Sequence, residues 1–116
     1  MIPRIEDYAL LSSGRTAALI AQGSVDWLCL PRFDSASVFT RLLGDPDESR
    51  WLIAPRDGTP TGRAYREGSF VLDTTWSTPS GAARSTDLMP ASDDDERVDL
   101  VRRITCTSGR IEVECE

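Results

Sequence analysis

The sequence predicts a mostly β chain of antiparallel strands with one short helix near residues 37–43. Three observations support that class. Short apolar or alternating runs recur between Gly, Pro, Ser and Asp punctuation, and only one stretch has helical spacing. The chain has 116 residues, 40% hydrophobic, 28% charged and 7% aromatic, a balance that fits one globular domain with a single core.

Strands are expected at Tyr8 to Leu11, Thr16 to Ala21, Val25 to Leu30, Arg50 to Ala54, Ser69 to Ser77, Ala82 to Met89, Arg97 to Thr107 and Ile111 to Glu116. The helix is expected in Ser37-Val38-Phe39-Thr40-Arg41-Leu42-Leu43, where Val38, Phe39 and Leu42 share a face and Gly44 supplies a stop. Arg56 to Gly62, with Gly58, Pro60 and Gly62, and Ala91 to Glu96, with its acidic run, read as surface loops.

Two turns suggest registers. A Gln22-Gly23 turn pairs Ile20 with Val25 and Ala18 with Trp27, which sets Asp26 among Leu19, Leu28 and Leu30. An ionised carboxylate among apolar neighbours needs a partner, and arginine is the only cationic side chain in the chain. A Ser108-Gly109 turn pairs Cys106 with Ile111, Ile104 with Val113 and Arg102 with Cys115, an arrangement that makes a Cys106–Cys115 disulfide improbable.

Composition excludes whole chemistries. Thirteen basic residues, all Arg, face nineteen acidic ones for a net charge of -6, the wrong sign for a phosphate backbone, so no nucleic-acid partner is expected. Without His, Lys or Asn there is no Ser-His-Asp triad, His-ligated zinc, phosphate-loop lysine or N-glycosylation acceptor. No metal or other cofactor is expected. From the charged opening Met1-Ile2-Pro3-Arg4-Ile5-Glu6-Asp7, neither a leader nor a membrane span is expected. With three unpatterned cysteines, Cys29, Cys106 and Cys115, a cytoplasmic location and no membrane contact are expected.

The densest unusual stretch is Gly23-Ser24-Val25-Asp26-Trp27-Leu28-Cys29-Leu30-Pro31-Arg32-Phe33-Asp34-Ser35. A strand runs into a Pro-led loop that offers a guanidinium, a ring and a carboxylate, the combination that binds sugar hydroxyls and covers an apolar sugar face. The same residues can instead close the loop and fill the core. Asp87 can meet an arginine in the core or line a site, and Trp51 and Trp76 fit packing positions.

That stretch, with Ile5-Glu6-Asp7-Tyr8-Ala9-Leu10, Arg15-Thr16-Ala17-Ala18-Leu19 and Thr86-Asp87-Leu88-Met89-Pro90, resembles the amino-terminal, trehalase-like β-domain of bacterial glycoside hydrolase family 15 enzymes, the glucoamylases, trehalases and related α-glucosidases. The resemblance implies an antiparallel β-sandwich over residues 1–116, an incomplete half of a larger sandwich, ahead of an (α/α)6 barrel that hydrolyses α-glucosidic bonds with inversion. The catalytic glutamates of such enzymes lie in the barrel, so none is assigned here. An inverting pair also needs carboxyl groups roughly 6.5–9.5 Å apart across the sugar, which nothing arranges for Asp26 and Asp34. Trp27, Arg32, Phe33, Asp34 and Asp87 are expected to contact substrate or to face the barrel. The expected partners are that barrel, an α-glucoside in its context, and a second copy through an exposed sheet edge. Ile111 to Glu116 is the strand whose inward residues call for such cover.

Overall fold

The computed structural model describes residues 4–14, 16–29, 37–39, 50–90 and 98–116, and the statements below concern these. A 3-10 turn at Ile5–Asp7 precedes ten strands: β1 (Ala9–Ser12), β2 (Ala17–Ala21), β3 (Ser24–Cys29), β4 (Ser37–Phe39), β5 (Trp51–Pro55), β6 (Thr59–Tyr65), β7 (Leu72–Thr78), β8 (Gly81–Leu88), β9 (Val101–Gly109) and β10 (Val113–Cys115). The first sheet runs β1-β2-β3-β5-β10 with β4 beside β3, and the second is the meander β6-β7-β8-β9. The two antiparallel sheets make an all-β sandwich.

Alternation explains which side chains go inside. On the first sheet Ala9, Leu11, Ala18, Ile20, Val25 and Leu28 turn inward and meet Leu72 and Met89. A second cluster joins Ala54 to Trp76 and Ala83. Trp76 is 3% exposed and its indole N–H donates to Ser85 Oγ at 2.9 Å, the polar partner that a buried tryptophan needs.

Four expectations require correction. Residues 37–39 are strand rather than helix, pairing Phe39 with Leu28 and Ser37 with Cys29; residues 40–43 lie outside the described residues. Because β5 meets β3 at Ser24 and Val25 alone, the rest of that β3 edge is open to β4, and a ladder there satisfies backbone groups that one turn of helix would leave half-paired.

Thr59–Tyr65 is a strand where a loop was expected up to Gly62. Pro60 and Gly62 are tolerated because β6 is an edge strand with a register slip between them. The turn contracts to Arg56 and Asp57, the latter at φ 55°.

The β2–β3 hairpin keeps Ile20 opposite Val25, but beyond a slip Leu19 faces Trp27 and Ala18 faces Leu28. Turn counting assumes a straight ladder, whereas the bulge leaves Asp26 without an opposite residue. It also lets Val25 and Leu28, three positions apart, both enter the core.

β9 and β10 form no hairpin. β9 pairs with β8, and β10 pairs with β5 in the other sheet, Val113 opposite Pro55 and Cys115 opposite Ile53. Gly109, at φ 64°, lies so close to Ser80 that an added Cβ would overlap its carbonyl. The Arg110 N–H then donates to Ser80 O, and the chain crosses between sheets instead of folding back on β9. Cys106 and Cys115 are exposed free thiols.

Candidate functional site

The most concentrated polar chemistry in the described residues lies between the sheets. Asp87 on β8 faces Leu72 on one side and Arg102 of β9 on the other. Both ionic side chains are 2% exposed, and Arg102 Nε donates to Asp87 Oδ1 at 2.7 Å. The guanidinium then crosses the sandwich: Nη1 donates to Trp51 O at 2.8 Å and Nη2 to Gly23 O at 2.6 Å. Its carbon lies 5.1 Å from the centroid of the Trp51 ring.

Gly23 reaches this position because the β2–β3 turn has positive φ at both central residues, 50° at Gln22 and 79° at Gly23. A Cβ on Gly23 would sit 2.5 Å from Ile53 O. The Gly23 carbonyl also accepts from the Ile53 N–H at 2.9 Å, so one peptide ties the hairpin to β5 and to β9.

Burial pushes the Asp87 carboxyl above its ordinary range, while the charge and hydrogen bond of Arg102 pull it back. Arginine keeps its proton at any ordinary pH. The pair therefore neutralises and positions; enclosed and matched, it is not set out to exchange protons with a sugar.

Asp26 is completely buried. Its donors among the described residues are hydroxyls, not the expected arginine: Tyr8 OH at 2.5 Å on Oδ2 and Ser24 Oγ on Oδ1. The bulge turns the carboxylate toward Tyr8, a residue 18 positions earlier.

Trp27 is half-buried on β3, opposite Leu19, which in turn faces Leu10, so one row of large apolar side chains crosses three strands. Arg32, Phe33 and Asp34 lie outside the described residues. The structure thus puts Asp87 in the core beside an arginine and keeps Trp27 at the other side of the first sheet, separate from it. Among the described residues no group of three or more His, Cys, Asp or Glu could hold a metal ion, and no helix is long and apolar enough to cross a membrane.

A groove of about 460 Å3 opens between the β2–β3 turn and the β6 edge, with Asp7, Gln22, Thr61 and Arg63 around it and Ile20 and Leu72 at its base. Arg63 Nη1 donates across this side to Asp7 O at 2.6 Å. Sequence reasoning missed Arg102 and Tyr8 as the partners of the two buried aspartates. The available signal was the inward phase of β9, which places Arg102 two and four residues before Ile104 and Cys106 on one face.

The chain matches the family described as "Trehalase-like, N-terminal" over residues 1–114. It is 35% identical to the trehalase of Mycobacterium tuberculosis over 131 residues, covering 96% of this chain and 19% of that protein. The trehalase of Mycolicibacterium smegmatis gives the same identity and coverage. Trehalase 2 of Sulfolobus acidocaldarius is 43% identical over 68 residues, 59% of this chain and 12% of that one. No solved structure gives a significant match. The chain spans about a fifth of the length of its mycobacterial relatives, each a larger trehalase. With a family match over nearly every residue and a β-sandwich to carry it, the chain belongs to the trehalase-like amino-terminal domain family.

Proposed function

We propose that the chain is the non-catalytic amino-terminal module of an α-glucoside hydrolase of glycoside hydrolase family 15, glucoamylase or trehalase in type, and that it supports or walls the catalytic barrel. One observation carries this reading: relatives named trehalase match across 96% of this chain, yet the match occupies only 19% of their length. The interior of the sandwich supports it, because Asp26 and Asp87 are each engaged by donors within the fold. The Trp27 row is the surface assigned to the barrel or its sugar, together with Arg32, Phe33 and Asp34, whose residue types carry the sequence-based expectation. The free thiols of Cys106 and Cys115 support a reducing, cytoplasmic setting.

The test has two arms. The purified chain, given trehalose, maltose or maltooligosaccharides, is expected to release no glucose and to show no saturable binding by calorimetry. In a parent enzyme that includes the barrel, Arg32→Ala is expected to lower kcat/KM more than it lowers Tm. Glucose release by the chain alone overturns the reading, and saturable oligosaccharide binding would make it a free-standing carbohydrate-binding sandwich instead.

A further inference from the structure

Among the described residues five strands lie at sheet edges: β1, β10 and the three-residue β4, which pairs with β3 alone, in the first sheet, and β6 and β9 in the second. An edge strand presents unpaired N–H and C=O groups to any chain that can add to it, and proteins blunt such edges by recurrent means. At β1 the Tyr65 hydroxyl accepts from the Leu10 N–H at 2.9 Å and donates to the Leu10 carbonyl at 2.7 Å, filling the place of a neighbouring strand. β6 contains Pro60, which has no N–H, and a register slip beside it. β10 is three residues long and carries Glu114 between Glu112 and Glu116.

Among the described residues β9 has no proline and no side chain of another strand bonded along its open edge, and its one exposed charge is Arg103. It is the longest strand described, nine residues, and most of it is exposed. Its slip against β8 falls near Cys106 and Ser108, leaving Val101 to Cys106 regular. It contains no acidic residue in a chain of net charge -6, and the charge of Arg102 is already matched by Asp87. Among the described residues Arg103 is the charge on the strand that has no ionic partner. Val101 and Val113, 45% and 46% exposed, add apolar surface on strands that end the two sheets.

We propose that two copies of this chain pair antiparallel through β9 about a twofold axis at Ile104, joining two four-stranded sheets into one continuous sheet. That axis centres the regular stretch while keeping Arg103 away from its own symmetry mate. An axis at Arg103 would set two like charges face to face, which destabilises a strand pair. With the axis at Ile104, Arg103 lies opposite Thr105 of the second copy and Arg102 opposite Cys106. A second copy suits the edge because its own β9 brings the uncharged Thr105 and Cys106 to those positions, so that no like charges meet. The wider negative charge is screened beyond roughly 8 Å at physiological salt.

The register makes predictions of opposite sign at one exposed position. Thr105→Glu places a carboxylate opposite Arg103 of the other copy twice per dimer and is expected to tighten dimerisation, whereas Thr105→Arg is expected to loosen it, each roughly 2- to 30-fold. The double variant Arg103→Glu/Thr105→Arg exchanges the partners and is expected to restore dimerisation. Sedimentation velocity over a concentration series of the 116-residue chain reads wild type, these three variants and Val113→Lys, with near-ultraviolet circular dichroism confirming the fold. A single monomer at every concentration overturns the proposal. So does a dimer indifferent to both Thr105 changes, or one abolished by Val113→Lys, which would place the contact at β10.

Discussion

The second sheet carries an aspartate–arginine pair on each of its faces, and the two pairs behave differently because of where the strands put them. Asp73 and Asp87 sit on adjacent strands, Asp73 opposite Thr86 and Asp87 opposite Leu72. Outside, Arg66 meets Asp73 at 2.8 Å with its side chain half exposed, and Thr86 adds a hydroxyl at 2.6 Å. Inside, Arg102 meets Asp87 at 2.7 Å with both side chains closed off from water. Nearly the same distance therefore separates charges that water largely screens from charges whose hydration has been removed.

The largest difference is expected on truncation. Arg102→Ala leaves Asp87 buried without its cation and the Trp51 and Gly23 carbonyls without a donor, a loss of about 3–5 kcal/mol. Urea denaturation should show a much lower midpoint, and the comparison breaks if the midpoint stays near wild type. Replacing the whole pair, Asp87→Leu with Arg102→Met, should recover much of that loss, because no uncompensated charge remains. A double variant as unstable as Arg102→Ala would mean that the carbonyl contacts carry most of the effect.

Asp26 sharpens the comparison, since it is as buried as Asp87 but is held by hydroxyls among the described residues. Tyr8→Phe removes one donor from an enclosed carboxylate and is expected to cost about 1–3 kcal/mol. That places it between the two arginine pairs. A loss as large as that of Arg102→Ala would show the Tyr8 hydroxyl to be equivalent to a guanidinium.

pH separates the faces by sign. The Arg66 hydrogen bond holds the Asp73 carboxyl below its ordinary value, with Thr86 assisting. Its stabilisation is therefore present above the unfolded value and lost as pH falls through the folded one. Burial raises the Asp87 carboxyl, so the folded state holds that proton more tightly, and this site costs stability as pH rises through the interval from the unfolded value to the folded one. Asp73→Asn should thus reduce the acid lability of the chain. It should also move the Asp87 titration downward, because the Asp73 charge is among the causes raising it. Carboxyl-carbon NMR titration checks both, and an Asp87 titration unmoved by Asp73→Asn separates the two faces electrically.

How legible this arrangement was in the sequence depends on how local each feature is. Alternation located most strands within a few residues, because a period of two needs no knowledge of neighbours, and Val98, Leu100 and Ile104, two and four positions apart, pack on the core side. The tie at Arg102 was hidden because its register came from a turn at Ser108-Gly109, whereas the chain there crosses to the other sheet. Asp26 was misplaced by a bulge that counting from Gln22-Gly23 cannot detect. β6 was hidden by its own protection: Pro60, Gly62 and seven exposed positions read as loop, yet its Tyr65 reaches β1. Residue 39 formed strand because of an open edge on β3, a tertiary opportunity that no local pattern records.

The smallest effect belongs to the outer pair. Arg66 is half exposed, so removing it leaves Asp73 within reach of water and still bonded to Thr86. Arg66→Ala is therefore expected to shift Tm only slightly at low ionic strength, and the shift should vanish at high salt, where exposed charges are screened. Differential scanning calorimetry at two salt concentrations makes the check. The salt dependence is the informative reading, because Arg102 and Asp87 lie where ions do not penetrate and the deficit of Arg102→Ala should persist at both. If salt erased the two deficits equally, water would reach the inner pair as freely as the outer one, and the difference between the faces of the sheet would reduce to geometry alone.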